Sequence, residues 1–202
     1  MPGVKGQVQA RGVERRRAII EAAIEHFARE GYRGTGIAAI AEAAGVTTGG
    51  LLHHFGSKEG LLVEVLKERD RQAVKAFVDL GRGSVEDEFD RWAAVATWNE
   101  DRAVLAALYS VLLAESLDPG HPAHAYMQQR NAIVRSLLLS TLREGVTSGE
   151  IRKDVDVDRK ADEIQAFMEG AQLWWLYHQK RNALTTLVRG YLDDQLLLMR
   201  PS

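Results

Sequence analysis

Proline is nearly absent from the interior of this chain. Its four prolines stand at positions 2, 119, 122 and 201. The two long stretches between them hold no residue that lacks a backbone donor or clashes with the preceding helical turn. Within these stretches apolar residues recur at intervals of three and four. No segment shows sustained period-two alternation rich in β-branched residues. The pattern predicts an all-α fold with nine helices. At 202 residues and 46% hydrophobic content, the chain can bury one sizeable core or two small ones.

Punctuation sets the expected helix ends. A first helix is predicted from about Glu14 to Glu30, with Ile20, Ala23, Ile24 and Phe27 inward and Gly31 as its stop. Two short helices follow, about Ile37–Ala44 and Thr48–His54, separated by a tight turn at Gly45. Ser57 is a good N-cap for a long fourth helix bearing Leu61, Leu62, Val65 and Leu66. Gly81-Arg82-Gly83-Ser84 reads as a loop, with Ser84 capping a helix to about Asn99. A sixth helix covers about Arg102–Leu117, and Asp118-Pro119-Gly120-His121-Pro122 breaks the chain. A seventh runs from about Ala123 to Val146. Thr147-Ser148-Gly149-Glu150 and the polar stretch to Asp158 form a loop. The last two are predicted at about Asp158–Gln179 and Leu184–Met199.

The charge is unevenly spread. Residues 1–58 hold eight Lys or Arg against five Glu, a net +3, which leaves −5 for the rest of a chain whose total is −2. A basic module joined to an acidic one is the simplest description. Short helix, glycine turn and short helix is also helix-turn-helix spacing, in which the second short helix can enter a major groove. Spacing alone is equally met by an ordinary corner between two helices of a bundle.

The segment from Arg17 to Leu62 resembles the N-terminal signature of the tetracycline-repressor (TetR) family. The matching strings are AAIEHFAREGYRGTG, IAAIAEAAGV and TTGGLLHHFGSKEGLL. The resemblance implies a helix-turn-helix DNA-binding domain over 1–56 and a helical ligand-binding and dimerisation domain over 57–202. It implies DNA contacts from Arg16 and Arg17 in a basic arm that begins at Arg11, from Thr35 and Gly36, and from Thr47, Thr48, Gly49, Gly50, Leu52, His53 and His54. Lys58 matches the family's phosphate-clamping lysine, placed at a helix N-terminus that itself attracts anions. Two residues depart from the pattern. Leu52 stands where the family usually has a phosphate-bonding Tyr, and Gly50 where Thr or Ala is usual. The glycine pair admits two readings, close approach of the backbone to DNA or a frayed helix start.

Beyond residue 60 the resemblance is one of layout. LLAESLDPGHPAHAYMQQR and GEIRKDVDVDRKADEI resemble a C-terminal subtype found among repressors of efflux and catabolic genes. It implies a mostly apolar effector pocket, for which Trp92, Trp98, Tyr109, Leu112, Leu113, Tyr126, Met127, Arg130 and Trp174 are candidates. It also implies a homodimer through the last two helices, with Phe167, Ala171, Trp175, His178, Leu184, Leu187, Val188 and Tyr191 as candidates. Two recognition helices related by a twofold read half-sites ~34–36 Å apart. The expected partners are therefore double-stranded operator DNA, a small-molecule effector and a second copy. The expected activity is repression released by that effector. The alternatives are an activator, an architectural DNA-binding protein without ligand control, or, remotely, a helical enzyme.

Other classes find little support. There is no cysteine, which excludes disulfides and thiolate metal sites and fits a reducing cytoplasm. The N-terminus has no apolar core of a secretory signal. No apolar run approaches the ~18 residues that span a bilayer. Asp154, Asp156 and Asp158 begin like a calcium loop, but Arg159 and Gln165 stand where glycine and glutamate are needed. His121 and His124 have no evident third metal ligand. No nucleophile–base pair, phosphate loop or cofactor motif is present, so no cofactor, metal or catalytic residue is expected.

Overall fold

The computed structural model describes residues 4–78, 83–179 and 183–201, with side chains left undescribed at 4–9 and 76–78. Among the described residues there are nine helices and no strand. They are α1 (Val4–Gly34), α2 (Ile37–Ala43), α3 (Thr48–Phe55), α4 (Lys58–Val78), α5 (Val85–Glu100), α6 (Ala103–Glu115), α7 (His124–Ser148), α8 (Val157–His178) and α9 (Ala183–Met199).

Most ends fall where the punctuation put them. Ser84 heads α5 in a full capping box: its hydroxyl accepts from the Asp87 N–H, and Asp87 accepts from the Ser84 N–H. Asp156 caps α8 by accepting from the Arg159 N–H at 3.1 Å. Two ends differ. α1 begins at Val4 rather than near Glu14. Nothing between them forbids a helix, so Arg11, Arg15, Arg16 and Arg17 are carried on α1 and do not form an arm ahead of it. α7 includes Thr147 and Ser148, whose hydroxyls donate to the Arg143 and Gly145 carbonyls of the turn before and keep it helical. Gly81 and Arg82 of the expected loop lie outside the described residues.

The chain divides into two compact units, Met1–Asp70 with Ala107–Ala125, and Arg71–Ala106 with Tyr126–Ser202. In the first unit α1 buries Ile19, Ile20, Ala23, Ile24 and Phe27, and α4 buries Leu61, Leu62, Val65 and Leu66. Gly31 interrupts α1 with φ 68°, a left-handed conformation that glycine adopts without a Cβ penalty. In the second unit α9 packs along α5 and α8. Its core includes Val85, Phe89, Trp92, Leu138, Leu142, Ile164, Trp175, Leu184, Val188 and Leu192. Gly145 of α7 belongs there because a Cβ would stand 2.5 Å from Val85 Cγ2 and 2.8 Å from Ile151 Cδ1. No helix among the described residues is long and apolar enough to cross a membrane.

Candidate DNA interface

The short helices α2 and α3 hold their angle through a small core. Ile40 and Ala41 on one, and Leu51 and Phe55 on the other, are buried. Gly45 turns the chain between them with φ 66°, and the Val46 N–H donates back to the Ala41 carbonyl at 2.9 Å. Thr47 caps α3, its hydroxyl accepting from the Gly50 N–H at 3.1 Å. Burial of Leu51 and Phe55 turns the other side of α3 outward. That side carries Gly49, Leu52, His53 and His54, all exposed, with Thr48 half-buried beside them. The histidine rings meet edge to face at 5.9 Å. A Cβ at Gly49 would meet nothing within 4 Å, so the fold of the free protein gives no reason for a glycine there.

The flanking candidates separate into free and occupied groups. Lys58 opens α4, where Ser57 Oγ accepts from the Gly60 N–H at 3.1 Å. Gly60 is itself required: a Cβ would stand 2.3 Å from the Phe55 carbonyl oxygen, which closes the α3–α4 turn against it. Arg17 is exposed and pairs loosely with Glu21 at 3.3 Å. Arg16 instead donates to Glu64 of α4 and lies 5.3 Å over the Phe55 ring, so its guanidinium fastens three helices together. Gly36 is exposed at the head of α2. Thr35 is buried, with its hydroxyl donating to the Gly31 carbonyl at 2.7 Å. Its position closes the kink after α1 and presents nothing outward.

Sequence reasoning missed a buried polar joint behind this surface. The Tyr32 N–H donates to Glu115 Oε2 at the end of α6 (2.7 Å), and the Tyr32 hydroxyl donates to Glu59 Oε1 (2.7 Å). That bond holds the Glu59 carboxyl down at about 2 and raises the Tyr32 phenol, whose burial contributes most. The Lys58 ammonium sits 4.3 Å over the Tyr32 ring, and the His121 ring meets that ring edge-on at 5.2 Å. His121 Nδ1 accepts from the Ala123 N–H at 3.2 Å, which leaves Nε2 to carry the proton of the neutral ring, 3.6 Å from Glu115. Burial keeps His121 below the usual histidine range. Arg33 pairs with Asp118 alongside. The Asp-Pro-Gly-His-Pro break was the visible signal. Its docking onto α1 required the fold.

Of the pocket candidates, Tyr109, Leu112 and Leu113 fall in the first unit, with Tyr109 and Leu112 buried. In the second unit Trp92, Trp98 and Met127 are buried, Tyr126 and Arg130 half-buried. Trp174 is 41% exposed and stacks on His178 at 4.3 Å on the outer side of α8, apart from the buried candidates. Two buried polar residues of this unit were not foreseen: Asn99 Nδ2 donates to Gln172 Oε1 at 2.9 Å, and Gln172 Nε2 to the Ala106 carbonyl at 3.2 Å. A polar residue within the apolar stripe of α8 was their only sequence trace.

The interface candidates divide as well. Ala171, Trp175, Leu184 and Val188 are buried in the core of their own chain and do not form an exposed stripe. Phe167 and Tyr191 stack face to face at 3.7 Å, half-buried. Leu187 and His178 are exposed, and with them Gly170, Leu173, Trp174, Tyr177 and Gly190. Asp156 and Asp158 serve as a helix cap and as a partner of Arg135 and Arg143.

The family model described as bacterial regulatory proteins, tetR family, matches residues 19–65. That described as BetI-type transcriptional repressor, C-terminal, matches residues 99–197. The chain is 32% identical over 161 residues to the HTH-type transcriptional repressor KstR2 of Rhodococcus jostii, spanning 71% of each protein. It is 25% identical over 179 residues to the fatty acid metabolism regulator protein of Bacillus subtilis, spanning 87% of this chain and 90% of that one. A TetR transcriptional regulator of Chloroflexus aurantiacus superposes with a TM-score of 0.82 at 25% identity, over 96% of this chain and all of the other. The surface built on α2 and α3 is thus a helix-turn-helix of known kind, and the chain belongs to the TetR family of bacterial transcriptional regulators.

Proposed function

We propose that this repressor binds a palindromic operator as a homodimer and leaves it when a small molecule occupies its helical C-terminal part. The observation that carries the DNA half is the outward face of α3. Among the described residues its side chains make no hydrogen bond or ion pair beyond the Thr47 cap, and it is low enough at Gly49 and Gly50 for the backbone to approach a groove. On this reading Thr48, Leu52, His53 and His54 face base edges. Lys58 and Arg17 face phosphates, and Arg11 and Arg15 extend that strip along α1.

The dimer half rests on the exposed aromatic face of α8. Leu173, Trp174 and Tyr177 are 61, 41 and 86% exposed, with Gly170 beside them and Leu187 and Gly190 on α9. A cluster of large apolar side chains of this kind marks an interaction surface, and a second copy covers it symmetrically. The effector half is supported by family membership and by the apolar candidates around Trp92, Trp98, Tyr126 and Met127. The likeness to the fatty acid metabolism regulator makes acyl compounds the first arm of a thermal-shift screen.

The deciding experiment is a mobility-shift assay of the full-length protein on its own upstream intergenic DNA, with the oligomeric state measured by light scattering. A folded dimer that gives no specific shift at moderate salt refutes the operator reading. A monomer at assay concentration refutes the dimer. Trp174→Asp with Tyr177→Asp is expected to yield monomer and to abolish the specific shift.

A further inference from the structure

We propose that Tyr32 is a positioning residue for DNA binding: its ring seats the Lys58 ammonium, while Glu115 fixes its main chain to the end of α6. The inference rests on the proposed phosphate role of Lys58. A lysine at a helix N-terminus is repelled by the helix dipole and has four rotatable bonds to lose. Left alone, it would be a mobile charge. Here the ammonium lies 4.3 Å over the Tyr32 ring, within the range in which a ring face attracts a cation. Three ammonium protons remain to be shared with a phosphate. The adjacent Glu59 would compete for that charge. Its carboxylate is held instead by the Tyr32 hydroxyl at 2.7 Å.

The ring is itself fixed from behind. The Tyr32 main-chain N–H donates to Glu115 Oε2 at 2.7 Å, and a Cβ at Gly31 would strike the Glu115 carboxyl at 2.4 Å. Gly31, at φ 68°, lies against that carboxylate, and a Cβ there would both strain the backbone and displace the Glu115 side chain. His121 packs edge-on against the ring and faces Glu115 through Nε2. A displacement of Glu115 therefore moves the Tyr32 main chain and with it the seat of Lys58. The end of α6 and the phosphate contact act as one piece.

The test measures binding of the full chain to random-sequence duplex DNA at low salt, where phosphate contacts dominate. Lys58 is one of seven lysines, so its ε-methylene signal can be resolved by NMR. In the parent that signal should lie upfield of the other lysines, shielded by the ring face. Tyr32→Phe should keep the shielding and lose only the part of the affinity that Glu59, released by loss of the hydroxyl, takes from Lys58. Tyr32→Leu should remove the shielding, weaken binding about two- to fivefold per subunit, and add nothing when Lys58 is already Ala. Glu115→Ala should move the Lys58 signal toward that of the other lysines. If Lys58→Ala leaves binding unchanged, the phosphate role falls, and the seat loses its purpose. If Lys58→Ala weakens binding but the losses at Tyr32 and Lys58 are additive, the clamp stands and the positioning role is overturned. An unshielded Lys58 signal in the parent overturns it without any variant, which covers the case of Tyr32→Leu failing to fold. An unmoved signal in Glu115→Ala overturns the link to α6.

Discussion

Gly49→Ala separates what the fold needs from what DNA binding needs. In the free protein the added methyl meets nothing within 4 Å. Gly49 also has no left-handed φ that only glycine tolerates. The substitution should therefore strengthen α3. Alanine exceeds glycine in a helix interior by up to ~1 kcal/mol, with less expected in a first turn. If the glycine is present so that the backbone can lie against DNA, the same methyl enters a packed contact. Overpacking costs about 1–3 kcal/mol, a loss of roughly five- to 150-fold per recognition helix. Chemical denaturation and a mobility-shift titration on the upstream intergenic DNA read the two effects separately. The expected variant is slightly more stable and binds specific DNA much less well. Gly50→Ala is the internal comparison. Its Cβ would press on Thr47 Oγ1 at 3.2 Å, the oxygen that its own N–H bonds at 3.1 Å, so its stability gain should be smaller or reversed. Undiminished affinity of Gly49→Ala would refute the close-approach argument. Lowered stability would refute the claim that α3 has room.

Three further outcomes follow from the same geometry. Lys58→Ala should weaken binding similarly on all sequences and reduce the slope of log affinity against log salt by about one per clamp, as salt titrations on specific and random duplexes would show; altered base preference would contradict a phosphate role. Gly145→Ala should destabilise the second unit by about 1–3 kcal/mol in urea denaturation, because the methyl would stand 2.5 Å from Val85 Cγ2. Adding Val85→Ala should recover part of the loss, and no recovery would mean that the clash lies elsewhere. Glu59 titrates at about 2 in the folded chain against an ordinary 4.5, so its contribution is complete above 4.5 and is lost as pH falls toward 2. The stability difference between the parent and Tyr32→Phe should therefore shrink across that window, and a difference constant to its lower end would sink the assignment.

The helices were legible because their punctuation is local. Ser84 with Asp87, Asp156, and the glycines at 31 and 45 act within a few residues of themselves; Ser84 and Gly45 did what their chemistry suggested, Gly31 kinked α1 without ending it, and Asp156 was not foreseen as a cap. The start of α1 was not legible, since a helix with no stop signal upstream has no sequence mark for its beginning. Exposure was legible where the family signature fixes the helix, as for Gly49, Leu52, His53 and His54 on the outward side of α3. Site residues were misread where two faces of one helix are both apolar. α8 carries Ala171 and Trp175 inward and Leu173, Trp174 and Tyr177 outward, and a periodicity count cannot tell which side its own chain covers. Arg16 and Thr35 show the same limit for polar groups. Their chemistry suits a phosphate, yet Glu64 and the Gly31 carbonyl hold them in the fold. The joint at Tyr32 joins residues more than eighty positions apart, which no local pattern encodes.

The proposed reading head has a consequence for how specificity arises. α3 itself carries no Lys, Arg, Asn or Gln, the side chains that make the strong paired contacts to base edges. Its basic groups are His53 and His54, and the permanent charges stand on the flanks, at Lys58 and along α1. Phosphate contacts from those flanks fix position and carry no sequence information. Discrimination must then come from four sources: two imidazoles, the Thr48 hydroxyl, a Leu52 methyl against thymine, and the groove shape that a low, glycine-bearing helix start can follow. Each is weaker than a bidentate arginine contact, so one α3 gives little selectivity. Two copies held at a fixed half-site spacing multiply it. In the proposed dimer, geometry is therefore part of sequence recognition, and a change that alters the exposed α8–α9 face should relax specificity before it removes general affinity for DNA.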